Sequence, residues 1–273
     1  MTDSPPPRPP ADEGARLSDG LRFAFGTLTV LPARITRWDR PAARTGMLCA
    51  PVAGLVVGLL SAATGTVLLL LGAGPLLAAV ATTGVPAALT RGLHLDGLAD
   101  TADGLGSAKP AEEALRIMKR SDIGPFGVIV LLLVLGLQTA ALAELYREGP
   151  VTGALAAVVA AVTARLALTL ASRTGVPAAR PEGLGATVAG AVPVRSALLL
   201  AGGVTVATAL VALPLGGAPA AAQGVLAVLA ALAVAECLLR RCTGRFGGVT
   251  GDVFGAVAES AAATVLVVLS LGG

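Results

Sequence analysis

Charge is scarce in this chain: Asp, Glu, Lys and Arg together supply 14% of its 273 residues, against roughly 25% in an ordinary soluble domain. So few charges argue against a water-soluble globule, and a hydrophobic content of 55% excludes disorder. Aromatic residues are also rare, at 3%, so the apolar mass is Ala, Val, Leu and Gly, a composition suited to closely packed membrane helices. The three cysteines, Cys49, Cys237 and Cys242, form neither a disulfide framework nor a zinc cluster, and a single histidine excludes an H-E-x-x-H site. No Gly-x-x-x-x-Gly-Lys-[Ser/Thr] run occurs, no βαβ pattern surrounds Gly183-Leu-Gly185, and no cleavable signal peptide is visible. The net charge is +3, but the basic residues lie between apolar runs and not in one aromatic-studded stripe, so no nucleic-acid partner is indicated.

What the chain does have is a series of apolar runs long enough to cross a hydrocarbon core, which takes ~20 residues. The spans expected are 46–72, 75–93, 126–146, 151–172, 196–216, 221–239 and 253–271. Residues 1–20, rich in proline, are expected to be a disordered tail, followed by a short amphipathic stretch around Phe23 to Pro32; residues 21–273 then form one membrane domain. In the second span Gly84 and Pro86 are expected to interrupt the helix, which is tolerated only beside a protein-enclosed cavity. With seven spans, every Lys and Arg except Arg147 and Arg165 falls on one side. By the positive-inside rule the amino terminus is then cytoplasmic and the carboxyl terminus external. The fold class is an all-α polytopic membrane bundle of about seven helices with a cytoplasmic Asp-rich segment.

That segment reads Arg91-Gly-Leu-His-Leu-Asp-Gly-Leu-Ala-Asp-Thr-Ala-Asp-Gly-Leu-Gly106. Asp96, Asp100 and Asp103 are spaced i, i+4, i+7, which puts all three carboxylates within a narrow arc of one helix face. Three stacked anions repel each other unless cations sit between them, and oxygen-only ligands favour Mg²⁺ or Mn²⁺ over zinc. A solvated helix with three aspartates is the plain alternative, but no basic residue lies between His94 and Lys109 to interleave with them. Gly97 and Gly104, each following an Asp, are expected to leave room for a phosphate beside the metals. Downstream, Lys119, Arg120 and Ser121 end a short interfacial helix; they would clamp phosphate oxygens or attract anionic headgroups, and composition does not separate the two.

A third segment runs from Arg240 to Glu259. Asp252 and Glu259 share a helical face, with Glu259 about two turns inside the last span, where an acid marks a site or pathway by default unless it pairs with Arg165. Gly247, Gly248 and Gly251 make a flexible turn whose backbone N–H groups would receive an anion, with Arg245 adding charge. His94 is either a general base or a hydrogen-bonded structural group. Glu236 is expected to pair with Arg240 four residues on.

The strings His94-Leu-Asp-Gly-Leu-Ala-Asp-Thr-Ala-Asp-Gly104 and Ile117-Met-Lys-Arg-Ser-Asp-Ile-Gly-Pro-Phe-Gly127 resemble the cobalamin synthase, or adenosylcobinamide-GDP ribazoletransferase, family. The likeness extends to Phe25 to Pro32, Pro51-Val-Ala-Gly54 and Gly247-Gly-Val-Thr-Gly-Asp-Val-Phe-Gly-Ala256, nearly the whole chain after the tail. Lys119-Arg-Ser-Asp-Ile departs from the family's Lys-Asp-Ser-Arg-Ile, so Arg120 and Asp122 receive no role from it. The resemblance implies a Mg²⁺-dependent enzyme of the bacterial inner membrane. A ribose hydroxyl of α-ribazole, or of its 5′-phosphate, attacks adenosylcobinamide-GDP, and GMP leaves. It further implies Asp96, Asp100 and Asp103 as metal ligands, with Asp252 completing that site or orienting the nucleophile. Arg245, Lys119 and Arg91 would bind phosphate oxygens, and a carboxylate or His94 would accept the proton. Membrane lipids surround such a chain; its self-association is left open. The rival readings are a CDP-alcohol-type phosphotransferase, whose Asp-Gly-x-x-Ala-Arg run is absent, and an ion-coupled transporter using Arg165, Glu259 and Asp252, for which no internal repeat is evident.

Overall fold

The structure is a computed structural model and describes residues 14–271. Among these the regular elements are helices: α1 (Leu17–Leu28), α2 (Arg40–Leu70), α3 (Pro75–Leu89), α4 (Leu93–Gly106), α5 (Ala111–Ile117), α6 (Pro125–Glu148), α7 (Pro150–Ala171), α8 (Leu184–Val188), α9 (Val194–Phe246) and α10 (Gly251–Ser270). The expected tail lies mostly outside the described residues, but residues 17–20 already belong to α1, where the Asp19 carboxylate accepts the Arg16 backbone N–H.

Five helices, α2, α6, α7, α9 and α10, are long and apolar enough to cross a membrane, and α3 with α4 makes a sixth candidate bent by 88°. Helix α9, at 53 residues, is two helices. Gly216 and Gly217 break it, Gly217 at φ +68°, and Gly224 then packs against Thr208, so the chain doubles back as a hairpin. The expected boundary between 216 and 221 therefore falls at the two glycines, whose missing Cβ permits the reversal. The break in the second apolar run does not fall at Gly84 and Pro86, which lie inside α3. It falls at Arg91 and Gly92, both in the left-handed region at φ +55° and +72°. Gly92 adopts that conformation freely; Arg91 is held there at a cost.

Without water to drive association, helices in lipid adhere through close backbone approach and interhelical hydrogen bonds. Gly54 and Gly58 of α2 supply such a seam: a Cβ on Gly54 would lie 2.5 Å from the Ala161 carbonyl oxygen, and one on Gly58 2.9 Å from Val158 Cα, both on α7. Thr169 of α7 donates to the Met47 carbonyl at 2.6 Å, and the Thr82 and Tyr146 hydroxyls meet at 2.9 Å. Leu132 and Leu133 of α6 and Leu198 and Leu199 of α9 face outward, as lipid-covered side chains do. Inside the bundle Glu259 accepts from Gln138 Nε2 at 2.9 Å; Arg165 lies near enough to act on it electrostatically, but its Nε and Nη2 have no hydrogen-bond partner among the described residues, so the alternative of a direct Arg165–Glu259 pair is not what is formed.

Contacts gather the basic segments at one end of the bundle. Arg40 at the start of α2 donates to the Gly190 carbonyl, Arg180 to that of Leu115, and Arg245 to that of Lys109. Helix α4 turns away from α3 and lies across the first turns of α10 and α6, where its residues touch Asp252, Gly255, Gly124 and Gly127.

Candidate active site

The crossing of α4 and α10 is set by two glycines. A Cβ on Gly97 would lie 2.6 Å from the Asp252 carbonyl oxygen, and one on Gly255 2.7 Å from that of His94. Only bare backbone lets the helices meet this closely, and the result is that Asp252 stands beside Asp96 and Asp100. Asp252 sits in the first turn of α10, after an N-cap in which Thr250 Oγ1 accepts the Val253 N–H at 3.4 Å and donates to Asp252 Oδ2 at 3.1 Å. The loop between α7 and α9 brings one countercharge. Ala179 N–H donates to the Val249 carbonyl and Val249 N–H to that of Pro177, both at 2.9 Å, and this clasp leaves Arg180 Nη1 3.9 Å from Asp252 Oδ2.

Burial and the neighbouring carboxylates of Asp252, Asp96 and Asp103 push the Asp100 carboxyl up to about 7, with Arg180 opposing. Among the described residues no three His, Cys, Asp or Glu groups are close enough to hold a metal ion as they stand. The donor chemistry nonetheless fits a hard divalent cation: all-oxygen carboxylates, in mutual repulsion, with one guanidinium beside them. Asp96, Asp100 and Asp252 are the residues that would hold it. Asp103 is differently employed. It is buried, and its two carboxylate oxygens accept the backbone N–H groups of Gly124 at 2.7 Å and Gly127 at 2.9 Å, capping α6 from a distance.

A polar cavity of about 680 Å³ opens along one side of the carboxylates, lined by Arg91, Asp96, Asp100, Arg120, Ser121 and Asp122. Arg91, Arg120 and Ser121, candidates for phosphate binding by sequence, line this cavity together with Asp122. Lys119 is exposed and is not among the lining residues. Arg245 donates to the Lys109 carbonyl and lies 5.9 Å from the centre of the Phe246 ring. Gly97 and Gly104 correct the sequence reading, because the space beside each is filled by protein and not left for phosphate; Gly248, read as part of an anion-receiving turn, is also closely packed. Gly97 packs on Asp252, Gly104 on Met118 and Phe246, and Gly248 on the Ala178–Ala179 peptide.

His94 is buried, and burial beside Arg165 holds its pKa down to about 3, so near neutral pH it is uncharged and a poor proton acceptor. Glu236 accepts from Arg240 at 2.7 Å as expected, and also from Arg173 at 2.9 Å. Arg180 is the residue that sequence missed; its only signal was membership of a basic loop, and the clasp that aims it spans about 70 residues of chain.

The fold and site define a polytopic, all-α membrane protein with an aspartate-rich centre at one end of its bundle. Comparison with known proteins narrows this. The family model described as Cobalamin-5-phosphate synthase matches residues 20–270, and the chain belongs to that family. A Frankia casuarinae protein named adenosylcobinamide-GDP ribazoletransferase is 44% identical over 262 residues, covering 92% of this chain and 94% of its own. Relatives of the same name from Nocardioides sp. and Pseudomonas aeruginosa are 42% and 39% identical, each covering 92% of this chain and 97% of its own. No solved structure matches the chain.

Proposed function

We propose that this protein joins adenosylcobinamide-GDP to α-ribazole, or to α-ribazole 5′-phosphate, releasing GMP and forming the phosphodiester of the cobalamin nucleotide loop. The reading places the site on the cytoplasmic face of a bacterial inner membrane, from the clustering of basic segments at that end. The observation that carries it is the meeting of Asp96 and Asp100 of α4 with Asp252 of α10 beside a cavity lined by Arg91, Arg120 and Ser121. In it the guanidiniums and the Ser121 hydroxyl bind diphosphate oxygens, and the carboxylates face the phosphorus. Mg²⁺ held by Asp96, Asp100 and Asp252 would neutralise charge on the diphosphate and on departing GMP. The attacking ribose hydroxyl gives its proton to a carboxylate of this set, because His94 is too weak a base. Arg180 holds Asp252 in place and offsets part of the local negative charge.

The test incubates detergent-purified protein with adenosylcobinamide-GDP, α-ribazole and Mg²⁺, with and without EDTA, and measures GMP and cobalamin by chromatography. Stoichiometric, EDTA-sensitive formation of both is expected. A folded, lipid-supplied sample that makes neither would redirect the reading to another activated alcohol.

A further inference from the structure

Helix α1 lies at the basic end of the bundle, and two contacts fix its depth there. Phe23 packs on Gly46 in the second turn of α2, and Val30, just past α1, donates its N–H at 2.7 Å to the carbonyl of Leu89, where α3 ends. The helix thus stands level with the point at which the chain enters α2 and leaves α3, the height of lipid headgroups. Gly20, Phe23, Ala24 and Leu28 face the bundle. Along one flank of that face Leu17, Leu21 and Phe25, spaced four apart, form an apolar stripe that the protein does not bury, with Leu17 67% exposed. The chain after α1 folds back over it, so that Ile35 Cγ1 lies 2.6 Å from where a Cβ on Gly26 would stand. Between the two runs an open cavity of about 440 Å³, lined by Leu21, Phe25 and Pro32 and by Arg22, Arg34 and Thr36. Among the described residues no carboxylate lines it, and neither Arg22 nor Arg34 makes an ion pair or a hydrogen bond, whereas Arg37 close by pairs with Asp39 at 2.7 Å. Two cations that share a cavity without a counterion of the protein's own favour an anion between them.

We propose that this cavity binds the headgroup of an anionic phospholipid. Arg22 and Arg34 take the phosphate oxygens, to which a guanidinium fork is matched, and the Thr36 hydroxyl is a further donor. The acyl chains run along Leu17, Leu21 and Phe25. An apolar stripe beside arginines is what a helix in the membrane interface requires, and a site for a water-borne phosphate has no use for it. The neighbours agree: Val30 is 42% and Trp38 60% exposed, and tryptophan favours the headgroup level. A zwitterionic headgroup fits worse, because its ammonium brings a third cation to the two guanidiniums. The bound lipid ties α1, and through Gly46 the start of α2, to the membrane surface.

The test takes delipidated full-length protein in dodecyl maltoside and measures equilibrium binding of radiolabelled phosphatidylglycerol. Wild-type protein is expected to bind it saturably, with phosphatidylcholine at least tenfold weaker as a competitor. Arg22→Gln/Arg34→Gln, and separately Thr36→Glu, which sets a carboxylate in the cavity, are each expected to lower the affinity at least tenfold while the melting temperature without lipid stays unchanged. Arg44→Gln/Arg241→Gln removes the same charge from exposed positions outside the cavity and should leave the affinity within twofold. Equal losses in the two double variants would reduce the effect to general surface charge and overturn the proposal. Equal competition by phosphatidylcholine, or the absence of saturable binding, would do the same. Displacement of the label by an equal concentration of inorganic phosphate would make the cavity a site for a free anion and also overturn it.

Discussion

A single methyl group at Gly97 should disrupt the site directly. Its Cβ would stand 2.6 Å from the Asp252 carbonyl oxygen and 2.9 Å from Asp252 Cα. Both are backbone atoms, so no rotamer change relieves the clash, and α10 must retreat from α4 by roughly 0.5–1 Å. Overpacking of this kind costs about 1–3 kcal/mol of stability. The larger effect is on the reaction, because the retreat carries Asp252 away from Asp96 and Asp100, and a 1 Å misplacement costs on the order of 100-fold in rate. Gly97→Ala is therefore expected to lower kcat for GMP release about 100-fold while the protein still inserts and purifies as a folded species. Gly255→Ala, facing the His94 carbonyl oxygen at 2.7 Å, should behave alike. Gly84→Ala is the control: it lies in α3 with no atom within 4 Å of the added carbon, and should keep full activity. Gly97→Ala at near-normal kcat with an unchanged melting temperature would refute the argument that helix contact assembles the site.

Other perturbations separate the roles of neighbouring carboxylates. In metal-free protein the Asp100 carboxyl is raised to about 7 from an ordinary value of 3.8, so the folded state holds a proton that the unfolded chain has lost. Stability in EDTA should accordingly fall as pH rises from about 4 to 7; in thermal melts Asp100→Asn should flatten that slope, and an unaltered slope would assign the loss to another group. Asp103→Ala, which strands the N–H groups of Gly124 and Gly127, should destabilise by about 1–3 kcal/mol in denaturant titrations, yet leave Mg²⁺ affinity within twofold. Arg180→Ala should lower kcat/KM at least tenfold with little change in melting temperature, because the backbone clasp at Val249 persists without the side chain; an unchanged kcat/KM would remove Arg180 from the site.

Much of this molecule is legible in its sequence because lipid imposes a crude rule, a long apolar run per crossing, and the runs ending near Leu70, Glu148, Ala171 and Ser270 obey it. The hairpin at Gly216 was legible for the same reason. The aspartate face of α4 follows from helical spacing alone. What spacing does not contain is partnership. That Asp103 caps α6 depends on Gly124 and Gly127 lying 21 and 24 residues away, and that Asp252 has Arg180 beside it depends on a loop clasp. Glycines mislead most: Gly97 and Gly104 look like clearance for phosphate, whereas they are clearance for other parts of the chain. Pro86 misleads too: it sits inside α3, as proline can in a membrane helix, and the bend comes at Gly92, where a left-handed residue is available.

The central claim is that carboxylates from two different helices, α4 and α10, form one cation site. Titration of Mn²⁺ into the purified protein, followed by electron paramagnetic resonance of the free ion, tests it most directly. The account predicts that Asp96→Asn and Asp252→Asn each weaken binding at least tenfold, although the two residues lie 156 positions apart in the chain. Wild-type affinity in Asp252→Asn would contradict it.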